Sequence, residues 1–150
     1  MSEDALDLET FLPYRLNRLA EAVGREFSRV YKERFGLTRP EWRLLATLGQ
    51  FGTMTATDIG AHTAMHKTKV SRAVVSLEER RWLTRETHRR DRRIENLSLT
   101  KAGRSAYLEL VPIARAFEDR LMQALVPADQ RAAAAGLAAL ERLNRTLSAS

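Results

Sequence analysis

Between Thr55 and Leu99 the periodicity of the chain changes twice, and the order of those changes restricts the possible folds severely. Thr55-Ala56-Thr57-Asp58 is a capping-type helix start that leads into Ile59 and a helix of about two turns. After a break around 63–65, a second helix is expected over about 66–81. Its apolar positions Val70, Ala73, Val74 and Leu77 follow the i, i+3, i+4, i+7 pattern of one buried face. From Trp82 the pattern shortens: 83–87 and 94–99 read as two short strands flanking the polar tip His88-Arg89-Arg90-Asp91-Arg92-Arg93. Short helix, turn, longer helix and basic-tipped hairpin together form the layout of a winged helix-turn-helix. The expected class is mainly α with a small β-hairpin wing.

The flanking segments are helical by the same criteria. Leu12, Leu16, Leu19, Val23, Phe27 and Val30 recur at spacings of three and four, one stripe on a long helix ending near Gly36. Thr38-Arg39-Pro40-Glu41 combines a capping threonine, a first-turn proline and a glutamate placed for a capping box. Trp42, Leu45 and Leu48 follow, with Gly49 and Gly52 expected to stop that helix. Thr100 caps a further helix carrying Tyr107, Leu108, Val111, Phe117, Leu121 and Leu125, which Pro112 should kink. Pro127 opens the last helix, with Leu137, Leu140, Leu143 and Leu147 as its stripe. So many apolar stripes exceed what one small winged unit can cover, which predicts a homodimer joined through the N- and C-terminal helices. The expected organisation is one domain, 1–150, with a winged core over about 37–100 and dimerisation helices over about 8–35 and 101–148.

Charge says what the winged unit touches. The 150-residue chain carries 25 Lys and Arg against 19 Asp and Glu, a net charge of +6. The segment 66–93 holds ten of those bases and four of the acids, so it accounts for the whole excess. Concentrated positive charge is the footprint of a phosphate-binding surface, so double-stranded DNA is the expected partner. With Val70 pointing inward and about 100° per residue, Thr68 and Arg72 point outward, and Lys69 and Ser71 lie on the flanks. Lys67, Lys69, Arg89 and Arg90 suit phosphates, and Thr68, Ser71 and Arg72 suit base edges in the major groove. Arginines on a narrow hairpin can enter the minor groove. Asp91 cannot usefully face phosphate and is expected to brace a neighbouring arginine. The alternative within the DNA-binding class is a sequence-independent architectural protein without an effector, which would bind with steep salt dependence and little sequence preference.

Other classes find little support. No cysteine is present, which removes disulfides and thiolate metal sites. His62 and His66 are spaced for zinc on one helix, yet a helix break is expected between them, so no metal is assigned. There is no Gly-rich phosphate loop, no G-x-S-x-G and no paired carboxylate set on an apolar cleft, so neither an enzyme nor a cofactor is expected. No apolar run approaches the roughly 18 residues of a membrane span. A cytoplasmic protein is the expectation.

Specific motifs sharpen the reading. Asp91-Arg92-Arg93-x-x-x-Leu97-x-Leu99-Thr100-x-x-Gly103 resembles the wing signature of the MarR family of bacterial regulators. Thr68-Lys69-Val70-Ser71-Arg72, followed by Leu77-Glu78 and Trp82-Leu83, is similar to that family's recognition helix and its exit. Leu37-Thr38-x-x-Glu41-Trp42-x-Leu44-Leu45 resembles the helix before it, and the match in order and spacing runs from Phe11 to Leu147. His66 departs from the acid or small polar residue common there. The resemblance implies a homodimer with interlocked terminal helices that reads a pseudo-palindromic operator as a repressor. It also implies that Arg92 is the minor-groove residue, with Asp91 and Arg93 holding the wing, and Arg93 is counted among the DNA-binding residues as well. Members of the family often respond to small anions, aromatic carboxylates or their thioesters, between the N-terminal arm and the winged unit. The candidates for such an effector here are Tyr14 and Arg15, with Trp42, Arg43 and His62 as further lining residues.

Overall fold

The computed structural model describes residues 5–149. The chain forms two compact units, divided between Val111 and Pro112. The first contains α1 (Leu12–Phe35), α2 (Arg39–Phe51), β1 (Met54–Thr55), α3 (Ala56–Thr63), α4 (Lys67–Glu79), β2 (Leu83–Thr87), β3 (Glu95–Leu99) and the first half of α5 (Lys101–Gln123). The second holds the rest of α5 and α6 (Pro127–Ser148). This is a mostly helical fold with a small antiparallel sheet.

Local signals explain most boundaries. Thr38 accepts a hydrogen bond from the Glu41 N–H, and Thr55 does the same for Asp58. α1 ends where Gly36 takes the left-handed conformation at φ 65°, its N–H donating to the Lys32 carbonyl. The sharp turn between α3 and α4 rests on Ala64, a non-glycine residue at φ 54°. α5 stays helical through Pro112, which has no N–H to donate.

The structure corrects several sequence-based expectations. α4 ends at Glu79, two residues earlier than expected, because Arg81 adopts φ 62° and reverses the chain. The Trp82 N–H then reaches the Leu77 carbonyl and the Arg81 N–H reaches the Glu78 carbonyl, a Schellman arrangement with arginine where glycine is usual. Gly49 does not stop α2. It lies buried inside the helix against the Tyr107 ring, so its lack of a side chain serves packing. Gly52 is the residue that ends α2. Glu41 turns its carboxylate toward Arg80, 3.7 Å away, rather than toward the helix start. The two-residue strand β1 is an addition to the expected elements; it pairs with β3 to give a three-stranded sheet of order β1-β3-β2. Two residues carry no readable alternation, so this strand exists only through its partner.

Register places Leu83 opposite Leu99 and Arg85 opposite Leu97. Leu83 and Leu97 point inward and join Leu44, Leu45, Leu48, Ile59, Val70, Val74 and Leu77 in one core. Tyr31 and Phe27 bring the end of α1 into that core, where Trp42 stacks on Tyr31 at 5.7 Å and meets Phe27 edge-on at 5.0 Å. The first half of α1 differs: Leu12, Leu16, Leu19 and Val23 are exposed. So are Leu121, Leu125, Leu137, Leu143 and Leu147 in the second unit. No helix among the described residues is long and apolar enough to cross a membrane.

Candidate nucleic-acid interface

α4 shows opposite chemistry on its two sides. Val70, Ala73, Val74 and Leu77 are buried, which turns Lys67, Thr68, Lys69, Ser71, Arg72 and Val75 outward into solvent. The helix begins at His66, whose Nδ1 accepts the Thr68 N–H at 3.2 Å. A histidine thus does the work of the usual Ser, Thr, Asp or Asn cap. The first turn carries no carboxylate to neutralise its remaining amides.

β2 and β3 project the wing. Its tip is closed by the His88 N–H donating to the Ile94 carbonyl at 2.8 Å and by the Ile94 N–H donating to the Asp91 carbonyl at 3.1 Å. Asp91 receives both Nε and a terminal nitrogen of Arg93, each at 3.1 Å, and its Oδ1 also accepts the Arg93 backbone N–H. Those side-chain and backbone bonds from Arg93 hold the Asp91 carboxyl below the usual aspartate range. The brace is therefore complete above that range and is lost only as pH falls through the lowered value. Arg89, Arg90 and Arg92 are exposed around it.

Not every base in the segment is available to phosphate. Arg85 is bound to Glu78 of α4 at 3.0 Å and, diagonally across the hairpin, to Glu95 at 3.3 Å. Those carboxylates raise its pKa further, the Glu78 bond contributing most. Arg80 is turned inward and Arg93 is held by Asp91. Among the described residues Lys67, Lys69, Arg72, Arg81, Arg89, Arg90 and Arg92 remain without an acidic partner. A charge count along the sequence treats all ten alike, and only the fold separates the two groups.

The five effector candidates lie in two clefts. Tyr14 and Arg15 line an open cleft of about 630 Å³ along the start of α1, with Leu8, Glu9, Leu12 and Arg18. Trp42, Arg43 and His62 line another, of about 250 Å³, where α2 faces α3. The His62 ring meets Phe51 edge-on at 4.7 Å. No group of three or more His, Asp or Glu residues among those described is placed to hold a metal ion.

The helix-turn-helix, its cationic face and the braced hairpin define a DNA-binding protein of the winged-helix class. Comparison with known proteins places it more closely. Residues 35–94 match the MarR family model. A MarR family transcriptional regulator from Silicibacter pomeroyi DSS-3 is 31% identical, with 95% of this chain and 99% of that one covered and a TM-score of 0.79. The chain belongs to the MarR family. An uncharacterized HTH-type transcriptional regulator of Bacillus subtilis (strain 168), YwoH, is 28% identical over 111 residues, 74% of this chain and 80% of that protein. BpsR of Bordetella bronchiseptica, whose DNA binding is regulated by 6-hydroxynicotinic acid, shares the fold at 22% identity and a TM-score of 0.72, over 85% of this chain and 98% of that one.

Proposed function

We propose that this regulator is a homodimeric repressor that binds a pseudo-palindromic operator and is released by a small anion. The observation that carries the DNA-contact assignment is the set of unpaired cations on the outer face of α4 and around the wing tip. Lys67, Lys69, Arg89 and Arg90 hold phosphates, Thr68, Ser71 and Arg72 read the major groove, and Arg92 enters the minor groove beside the Asp91–Arg93 brace. Dimerisation runs through helices 8–35 and 101–148 of a single domain, 1–150. The exposed leucines of α1 and α6 support this, since a long apolar stripe left in water forgoes about 25 cal/mol for each Å² that a partner would cover. Two copies related by a two-fold axis present their recognition helices about 34 Å apart, one turn of DNA. The protein works in the cytoplasm.

Light scattering at micromolar concentration should give twice the 17.0 kDa chain mass. The affinity of that dimer for duplex from its own promoter region should fall linearly on a log–log plot against salt. Replacing Lys67 by alanine should reduce the slope by about 0.9 for each phosphate that the lysine neutralises. A monomer, or a salt-insensitive affinity, contradicts the proposal.

The effector is an aromatic carboxylate or its thioester, held at Tyr14 and Arg15 with Trp42, Arg43 and His62 as further candidates. BpsR supports the class, because its regulator is an aromatic carboxylate. A guanidinium beside exposed leucines is suited to pair with such an anion. Arg15→Ala should leave DNA affinity unchanged and abolish release by the anion in a promoter-fragment titration. Normal release by that variant removes Arg15 from the site.

A further inference from the structure

Arg80 lies in the basic segment, yet its guanidinium is taken up by partners within the fold. It is the C-cap residue of α4, its own N–H donating to the Ser76 carbonyl. Its guanidinium reaches back 45 residues to the end of α1, donating to the Phe35 carbonyl and to the Gly36 carbonyl, each at 2.7 Å. The Glu41 carboxylate at the start of α2 lies 3.7 Å away, and the plane of Trp82 lies beneath the guanidinium at 5.1 Å from the ring centroid. Glu41 is nearly buried, and its Oε2 has no hydrogen-bond partner among the described residues, so Arg80 is the cation that compensates it.

Each contact suits a guanidinium. The last carbonyls of a helix are unsatisfied acceptors at the negative end of its dipole, and a planar fork can bond two of them at once. The conformation on the other side is equally specific. Gly36 at φ 65° turns its carbonyl toward Arg80, and Arg81 at φ 62° turns the chain away immediately after it. One side chain therefore joins the end of the arm helix, the start of α2 and the end of the DNA-facing helix.

We propose that Arg80 is a positioning residue for sequence recognition: it sets the angle of α4 against α1 and so the aim of Thr68, Ser71 and Arg72. This rests on the reading of α4 as the helix that enters the groove. A displaced helix can still lay its lysines on phosphates but loses the alignment that paired hydrogen bonds to a base require. Removing Arg80 thus acts on discrimination rather than on general attraction to DNA.

The test compares two duplexes, one selected by the wild-type chain from a random-sequence pool and one of scrambled sequence. Arg80→Met should lower the ratio of selected to scrambled affinity at least tenfold. Affinity for the scrambled duplex and its salt slope should stay at wild-type values. Arg80→Lys keeps the charge but lacks the fork, so it should lose part of the same ratio. If Arg80→Met does not fold by circular dichroism, Arg80→Lys carries the test. Equal losses on both duplexes with a slope lower by about 0.9 would make Arg80 a phosphate contact and overturn the inference. An unchanged ratio in folded protein overturns it too, leaving Arg80 a purely structural role. If the wild-type chain selects no sequence at all, the reading of α4 fails first.

Discussion

Gly103→Ala should destabilise the fold by about 3 kcal/mol, the upper part of the range for overpacking a buried site. Gly103 is buried in the first turn of α5, where its N–H donates to the Thr100 hydroxyl at 3.0 Å. A methyl group there would collide with the carbonyl of Trp82. That carbonyl is backbone and is held in place, because it accepts the Thr100 N–H at 3.0 Å. The Thr100 hydroxyl in turn donates to the Arg81 carbonyl at 2.7 Å. Making room for the methyl group means breaking the junction between the exit of α4, the hairpin and α5. Thermal unfolding should show a fall in Tm of roughly 10 °C. A midpoint within a degree or two of wild type would mean that α5 moves freely against Trp82.

The second large effect concerns DNA. Arg72→Ala should weaken binding to the selected duplex by about 1–3 kcal/mol, roughly 5- to 150-fold, if its guanidinium makes a paired contact to a base. The side chain is exposed on the second turn of α4, one turn from Thr68, and it has no acidic partner among the described residues. Its removal should therefore cost little folding stability, which separates this variant from Gly103→Ala. Binding curves on selected and scrambled duplexes decide the role. Loss on the selected duplex alone marks base reading, and equal loss on both reassigns Arg72 to positioning along the backbone.

Arg72 and Arg80 also show how far the chain can be read before it folds. Both are basic and stand eight positions apart in one segment, and counting charge does not separate them. The side of α4 on which Arg72 lies is legible, because Val70, Ala73, Val74 and Leu77 mark the buried direction and helical geometry fixes the rest. The destination of Arg80 is not, since its acceptors are carbonyls 44 and 45 residues away and a carbonyl has no signature in the sequence. Arg85 is a similar case: its two glutamates come from α4 and β3 and meet it only once the hairpin has folded back. Gly49 reads locally as a stop. The ring of Tyr107 gives it a different role inside α2.

Patterns that repeat within a turn or two needed nothing but residue order: the caps at Thr38, Thr55 and Thr100, the stripe of α4, and the two strands with arginines between them. Their energetics are settled by neighbours three or four positions away, so they survive without knowledge of the rest. Which cations are left over for DNA, how the short strand β1 finds β3, and where Tyr14 and Arg15 lie relative to Trp42 and His62 depend on groups brought close from distant parts of the chain. Those pairings form only when burial of the common core holds the elements together, and so they belong to the packed molecule.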